Sequence, residues 1–169
     1  MGTATPLNVI TSQGESEWAM KMESQSELGA ELAYYLGDLE SRELVALQWG
    51  DWAALHRLTE QGVAARHAAR MRSRVSASVF DRCVMPRTTL QSKAPSARLS
   101  TLQSERAVRV AHIYALATRA FGDRDRGSAW LQRANAALDG NAPSDLLTNE
   151  AGARCIEQLL GRLEHGVAA

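Results

Sequence analysis

Residues 100–122 read STLQSERAVRVAHIYALATRAFG. Ser100 followed by Gln103 is a capping box, and Gly122 stands where a helix stop belongs. Between them, Ala107, Val110, Ala111, Tyr114, Ala117 and Phe121 fall on one helical stripe, which Ile113, Leu116 and Ala120 widen. A helix apolar over so much of its surface is enclosed by its neighbours. The spacing therefore predicts a long central helix, with the rest of the chain packed around it.

Downstream, Asp123 caps a helix whose Ala129, Trp130 and Leu131 are read as inward. Trp130 and Phe121 are expected in the core, where truncation costs about 3–5 kcal/mol. Pro143 opens a turn carrying Leu146 and Leu147. Thr148 is read as the cap of a last helix, about residues 149–165. Cys155, Ile156, Leu159, Leu160 and Leu163 share one face of it, and Gly166 closes it.

Upstream lies a dense basic stretch. A helix is predicted over residues 64–75, with Arg66, Arg70 and Arg74 on one face at steps of four. Ser76 reads as the cap of a short helix through Arg82, with Val79 and Phe80 inward. Cys83, Val84 and Met85 read as a turn. Pro86 reads as a first helical residue. The helix after it, residues 87–93, has Leu90 as its one large apolar side chain, and Pro95 ends the unit. This is a helix–turn–helix layout. Arg87 and Gln91 have the chemistry to read base edges in a major groove. Thr88, Thr89, Ser92, Lys93 and Arg98 can hold phosphates.

Charge supports that reading. The formal net charge is zero. Residues 1–60 carry three Lys or Arg against ten acids, a net of −7. Residues 61–126 carry thirteen against four, a net of +9, and residues 127–169 three against five, a net of −2. A basic middle in a neutral chain either meets a polyanion or is met by the acidic N-terminal part.

In that N-terminal part, residues 1–15 read as a mobile arm. Leu28, Leu32, Tyr35 and Leu39 predict a helix over residues 26–39. Leu44 and Leu47 suggest a short piece that Gly50 breaks. Asp51 is read as the cap of a helix with Trp52, Leu55 and Leu58, stopped by Gly62. The stripe from Leu28 to Leu39 is either extra dimer surface or packing against its own chain. No strand alternation and no repeat is present. The fold class is all-α, in three parts: a helical N-terminal region (1–60), a helix–turn–helix (61–99) and a C-terminal helical domain (100–169).

Nothing in the sequence argues for catalysis. It has no Gly-rich phosphate loop and no metal-ligand spacing. His56, His67, His112 and His165 are scattered, and His112 reads as a packed histidine. Cys83 and Cys155 read as half-buried thiols rather than a disulfide framework. The expectation is a non-enzymatic cytoplasmic protein with no metal and no cofactor. No apolar run reaches the roughly 20 residues that span a bilayer.

The stretch from Phe121 onward resembles a known family. Phe121-Gly122-Asp123, Ala129-Trp130-Leu131, Asn135, Leu138 with Gly140, Pro143, Leu146-Leu147, Thr148, Glu150 with Gly152 and the run Arg162-Leu163-Glu164-His165-Gly166-Val167 carry it. They resemble the toxin-binding domain of the Xre/MbcA/ParS antitoxins. Pro86-Arg87-Thr88-Thr89-Leu90 and Arg98-Leu99-Ser100, followed by Glu105-Arg106, resemble the family's Xre-like helix–turn–helix. Thr88 and Ser92 depart from it, standing where Arg is expected. Residues 1–60 resemble nothing named.

The resemblance implies an antitoxin that neutralises a RES-domain toxin, an enzyme that consumes NAD or transfers ADP-ribose from it. It also implies repression of the antitoxin's own operon as a homodimer. Toxin contact is expected through Trp130, Glu150, Arg154, Arg162, His165 and the tail Gly166, Val167, Ala168 and Ala169. Two other readings stand beside this one: an antitoxin or adaptor whose helix–turn–helix no longer binds DNA, and a stand-alone transcription regulator.

Overall fold

The computed structural model describes residues 12–39, 52–164 and 166. These residues form helices and loops, as the sequence predicts. The piece with Leu44 and Leu47, the break at Gly50 and the Asp51 cap lie outside the described residues, as do His165 and the tail from Val167 to Ala169.

The central helix is α6 in chain order, Thr101–Phe121. Before it come α1 (Ser12–Tyr35), α2 (Trp52–Gln61), α3 (Ala65–Arg74), α4 (Ala77–Cys83) and α5 (Arg87–Gln91). After it come α7 (Arg124–Leu131), the 3-10 turns Ala136–Leu138 and Pro143–Thr148, and α8 (Glu150–Glu164). Helices α1, α2, α4, α7 and α8 all pack on α6. Its Ala107, Val110, Ala111, Ile113, Tyr114 and Ala117 are fully buried.

Both ends of α6 obey local rules. The Ser100 hydroxyl accepts from the Gln103 N–H, and the Gln103 side chain accepts from the Ser100 N–H. At the other end Gly122 takes φ +66, the left-handed conformation of a helix stop. Asp123 then caps α7, its carboxylate accepting from the Arg126 N–H at 2.8 Å.

Helix α1 begins at Ser12 and ends at Tyr35, earlier at both ends than residues 26–39. Residues 12–15 of the expected arm are thus helical. The stop is set by tertiary contact. Gly37 has φ +85, and a Cβ there would lie 2.3 Å from the His67 carbonyl oxygen. The stripe of α1 packs on its own chain: Leu32, Tyr35, Leu36 and Leu39 are all buried. The Tyr35 hydroxyl and Thr118 of α6 share a buried hydrogen bond of 2.9 Å, and the Tyr35 ring stands 5.4 Å from that of Tyr114. That stripe is consumed within one chain and is not dimer surface.

Several smaller expectations change. Cys83 closes α4 instead of lying in a turn, and it is buried, while Cys155 is exposed. Pro86 takes the cap position, and Arg87 is the first helical residue. Helix α5 ends at Gln91, two residues short, where the Ser92 hydroxyl turns back to the Thr89 carbonyl. In α7 the buried residues are Gly127 and Leu131, one turn apart, so Ala129 between them faces solvent. Phe121 and Trp130 are half-buried and pack on each other, ring centroids 5.6 Å apart, at the edge of the core. Asn149, not Thr148, caps α8: its side chain accepts from the Gly152 N–H at 2.9 Å.

Candidate functional site

The basic block divides its cations between two tasks. Arg74 leaves α3 toward α1: it pairs with Asp38 through two hydrogen bonds and donates to the Tyr34 carbonyl. Those bonds hold the Asp38 carboxyl below the ordinary carboxylate value. Arg70 points the same way, 3.5 Å from the Gly37 carbonyl. Tyr34 lies between two guanidinium groups, Arg74 at 4.3 Å and Arg124 at 3.7 Å from its ring centre. Arg124 in turn makes a two-bond pair with Glu31 at 2.8 Å. Part of the +9 block is therefore met by the acidic N-terminal region.

The other cations face a groove of about 310 Å³ between α3 and α5. Arg66 and Arg72 line it from α3, and Arg87, Gln91 and Lys93 from the far side, with Leu90 and Pro95 between. Arg72 makes a two-bond pair with Asp81, at 2.7 and 2.8 Å, which holds the Asp81 carboxyl low. Arg66 and Arg72 as groove residues were not legible from the spacing, which groups Arg66 with Arg70 and Arg74. The carboxylate that fixes Arg72 is nine residues away, on another helix.

Of the residues read as DNA contacts, Arg87, Thr88, Gln91, Ser92 and Arg98 are exposed, and Thr89 and Lys93 are half-buried. With its amide oxygen turned toward Arg87, Gln91 accepts from the Arg87 Nε at 3.0 Å. Arg98 donates to the Gly62 carbonyl at 3.0 Å, where the 95–99 segment lies along the start of α3.

Arg82 of α4 reaches the C-terminal part. It donates to the Ser144 carbonyl at 3.0 Å and pairs with Asp145 at 2.9 Å. There α8 runs parallel to α6, because its acids meet α6 residues in the same chain order. Glu150 lies 3.9 Å from Arg109, Glu157 3.3 Å from His112, and Glu164 2.6 Å from Arg119. Burial holds the His112 imidazole below its ordinary value, against the opposing pull of Glu157. His112 is packed, as its position predicts.

Residues 116–166, spanning the end of α6, α7, both 3-10 turns and α8, match the profile of the Antitoxin Xre/MbcA/ParS C-terminal toxin-binding domain. The C-terminal third of this chain is an Xre/MbcA/ParS toxin-binding domain. Three relatives agree, each named Antitoxin Xre. That of Pseudomonas putida is 30% identical over 84 residues, covering 49% of this chain and 53% of its own. That of Photorhabdus laumondii is 32% identical over 68 residues, covering 40% and 46%. That of Yersinia enterocolitica is 32% identical over 82 residues, covering 48% and 55%. The chain spans about half the length of the curated relatives it matches.

Within the toxin-binding domain, the residues read as toxin contacts are unequal. Arg154 and Arg162 are exposed. Glu150 is engaged by Arg154 at 3.1 Å as well as facing Arg109. Trp130 is half-buried against Phe121. Gly166 has φ +67 and donates its N–H to the Leu163 carbonyl at 3.2 Å, ending the last turn.

Proposed function

We propose that this chain is an antitoxin that binds and neutralises a cognate RES-domain toxin in the cytoplasm and, as a homodimer, represses its own operon. The observation that carries the antitoxin reading is the match of residues 116–166, which covers a continuous packed unit from the end of α6 through α8. The toxin would be an NAD-consuming or ADP-ribosylating enzyme. The short uncharged tail after Gly166, ending in a carboxylate, has the size and charge to enter a cleft built for an anionic cofactor.

The α3–α5 groove supports the DNA reading. It places Arg66, Arg72, Arg87 and Lys93 around one opening. A second reading, an antitoxin or adaptor that does not bind DNA, is favoured by the length of α5, five residues, and by the contact between Arg87 and Gln91.

The test has two arms. Toxin NAD consumption is titrated with the full chain and with a chain lacking residues 166–169. The full chain should inhibit, and the truncated chain should inhibit less. Equal inhibition by both would show that the tail is idle, and no inhibition by either would refute the antitoxin reading. In the second arm, DNA from upstream of the gene is titrated at two salt concentrations. Salt-independent binding, or none, would leave the second reading standing.

A further inference from the structure

Helix α8 sorts its charges by face. Glu150, Glu157 and Glu164 recur at steps of seven, and all three face α6, against Arg109, His112 and Arg119. Arg154, Gln158 and Arg162 recur at steps of four and are all exposed. The acids of the helix are thus spent inside the molecule, and its outer face presents donors. Arg154 is held by Glu150 one turn before it. Among the described residues, no carboxylate lies within ion-pair distance of Arg162.

Beside this stripe is a cleft of about 80 Å³ between α8 and the 3-10 turn Ala136–Leu138. Leu138 and Leu159, both buried, form its apolar part, and Ala137, Cys155, Gln158 and Arg162 complete its lining. It has room for one small side chain, with a guanidinium at its lip.

We propose that this outer face of α8, with the cleft as its anchor point, is the surface that docks a short acidic patch of the toxin. The proposal rests on the antitoxin reading above and names which face of the domain meets the partner. Charge complementarity selects the occupant. Two arginines eight residues apart, with Gln158 between them, match one or two carboxylates flanking an apolar residue small enough for the cleft. They do not match a nucleic acid. DNA carries a charge about every 1.7 Å, and residues 127–169 have a net charge of −2 that would oppose it.

The experiment measures the affinity of the purified full-length chain for the purified RES-domain toxin encoded beside it. Four forms are compared: wild type, Arg154→Glu/Arg162→Glu, Arg154→Lys/Arg162→Lys, and Cys155→Phe, which fills the cleft. All three positions are exposed, so thermal unfolding should match wild type. Charge reversal should weaken binding by about ten-fold or more and remove its salt dependence. The lysine pair should stay within about three-fold of wild type, because the charge is kept and only the planar fork is lost. Cys155→Phe should weaken binding about ten-fold, a cost of roughly 1.4 kcal/mol.

If the wild type binds and the reversed pair binds equally well, this surface is overturned and the antitoxin reading stands. A wild-type chain that does not bind at all overturns both. Loss of upstream-DNA binding by the reversed pair, with toxin affinity unchanged, would assign the face to nucleic acid and overturn the proposal.

Discussion

Arg119 and Glu164 stand forty-five residues apart in sequence and meet in a two-bond ion pair, Nε to Oε1 at 2.6 Å and Nη2 to Oε2 at 3.0 Å. The pair fixes the last turn of α8 to the end of α6. Both side chains are mostly covered, 28% and 22% exposed, and the bidentate geometry is favourable. A double-mutant cycle with Arg119→Ala and Glu164→Ala should give a coupling of about 1 kcal/mol in urea unfolding, falling in high salt. A coupling near zero would mean that the turn before Gly166 is not held.

His112 sets a pH dependence. Burial lowers its pKa from 6.5, with Glu157, Arg119 and Glu150 as the charged groups around it. As pH falls below about 6.5 the unfolded chain takes up a proton that the folded chain resists, so stability declines in that window. Stability is fully present above it. Asp38 and Asp81 have lowered values, so their contribution fades only at lower pH, starting near the ordinary 3.8. Urea midpoints between pH 7.5 and 5 should fall for wild type and stay flatter for His112→Gln. Equal slopes would remove His112 from the account.

Gly152 allows the first turn of α8 to lie against the preceding 3-10 turn. A Cβ there would stand 1.9 Å from the Leu146 carbonyl oxygen, a backbone atom that cannot step aside. Gly152→Ala should therefore cost about 1–3 kcal/mol, although alanine favours helices. A neutral or stabilising result would show that α8 and the turn can separate freely.

The N-terminal helix is structural. Leu36 is fully buried, and Leu36→Ala should lower stability by about 2–5 kcal/mol in a single cooperative unfolding transition. A separate early transition, or a cost below about 1 kcal/mol, would make α1 an appendage rather than part of the core.

Arg87 has the clearest position for a base or phosphate contact. If DNA is bound, Arg87→Ala should cost about 1–3 kcal/mol and relax base preference. Arg66→Ala, at the groove wall, should instead weaken binding to all sequences and reduce the salt slope by about 1. Gel shifts at two salt concentrations separate the two effects. Identical behaviour of both variants would mean that α5 does not read bases.

What the sequence determined by itself was local. The Ser100–Gln103 box, the Gly62 and Gly122 stops, the Asp123 cap and the α6 stripe all depend on groups within one turn of each other. The rules for such groups hold wherever the helix is placed. The motifs from Phe121 onward were legible for the same reason, since their spacing is preserved along the chain.

Tertiary structure decided everything that depended on a distant partner. Arg66, Arg70 and Arg74 share one stripe in sequence, yet Arg74 goes to Asp38, thirty-six residues away, while Arg66 lines the groove with Arg72. The α1 stripe fitted a dimer or its own chain equally well until Tyr35 was found bonded to Thr118, eighty-three residues on. Cys155 and Ala129 each looked inward by adjacency to apolar neighbours. One residue along a helix is a turn of about 100°, enough to carry a side chain from the core to water. A period locates a face to within about that angle, and only the packed neighbour decides which side of the boundary is dry.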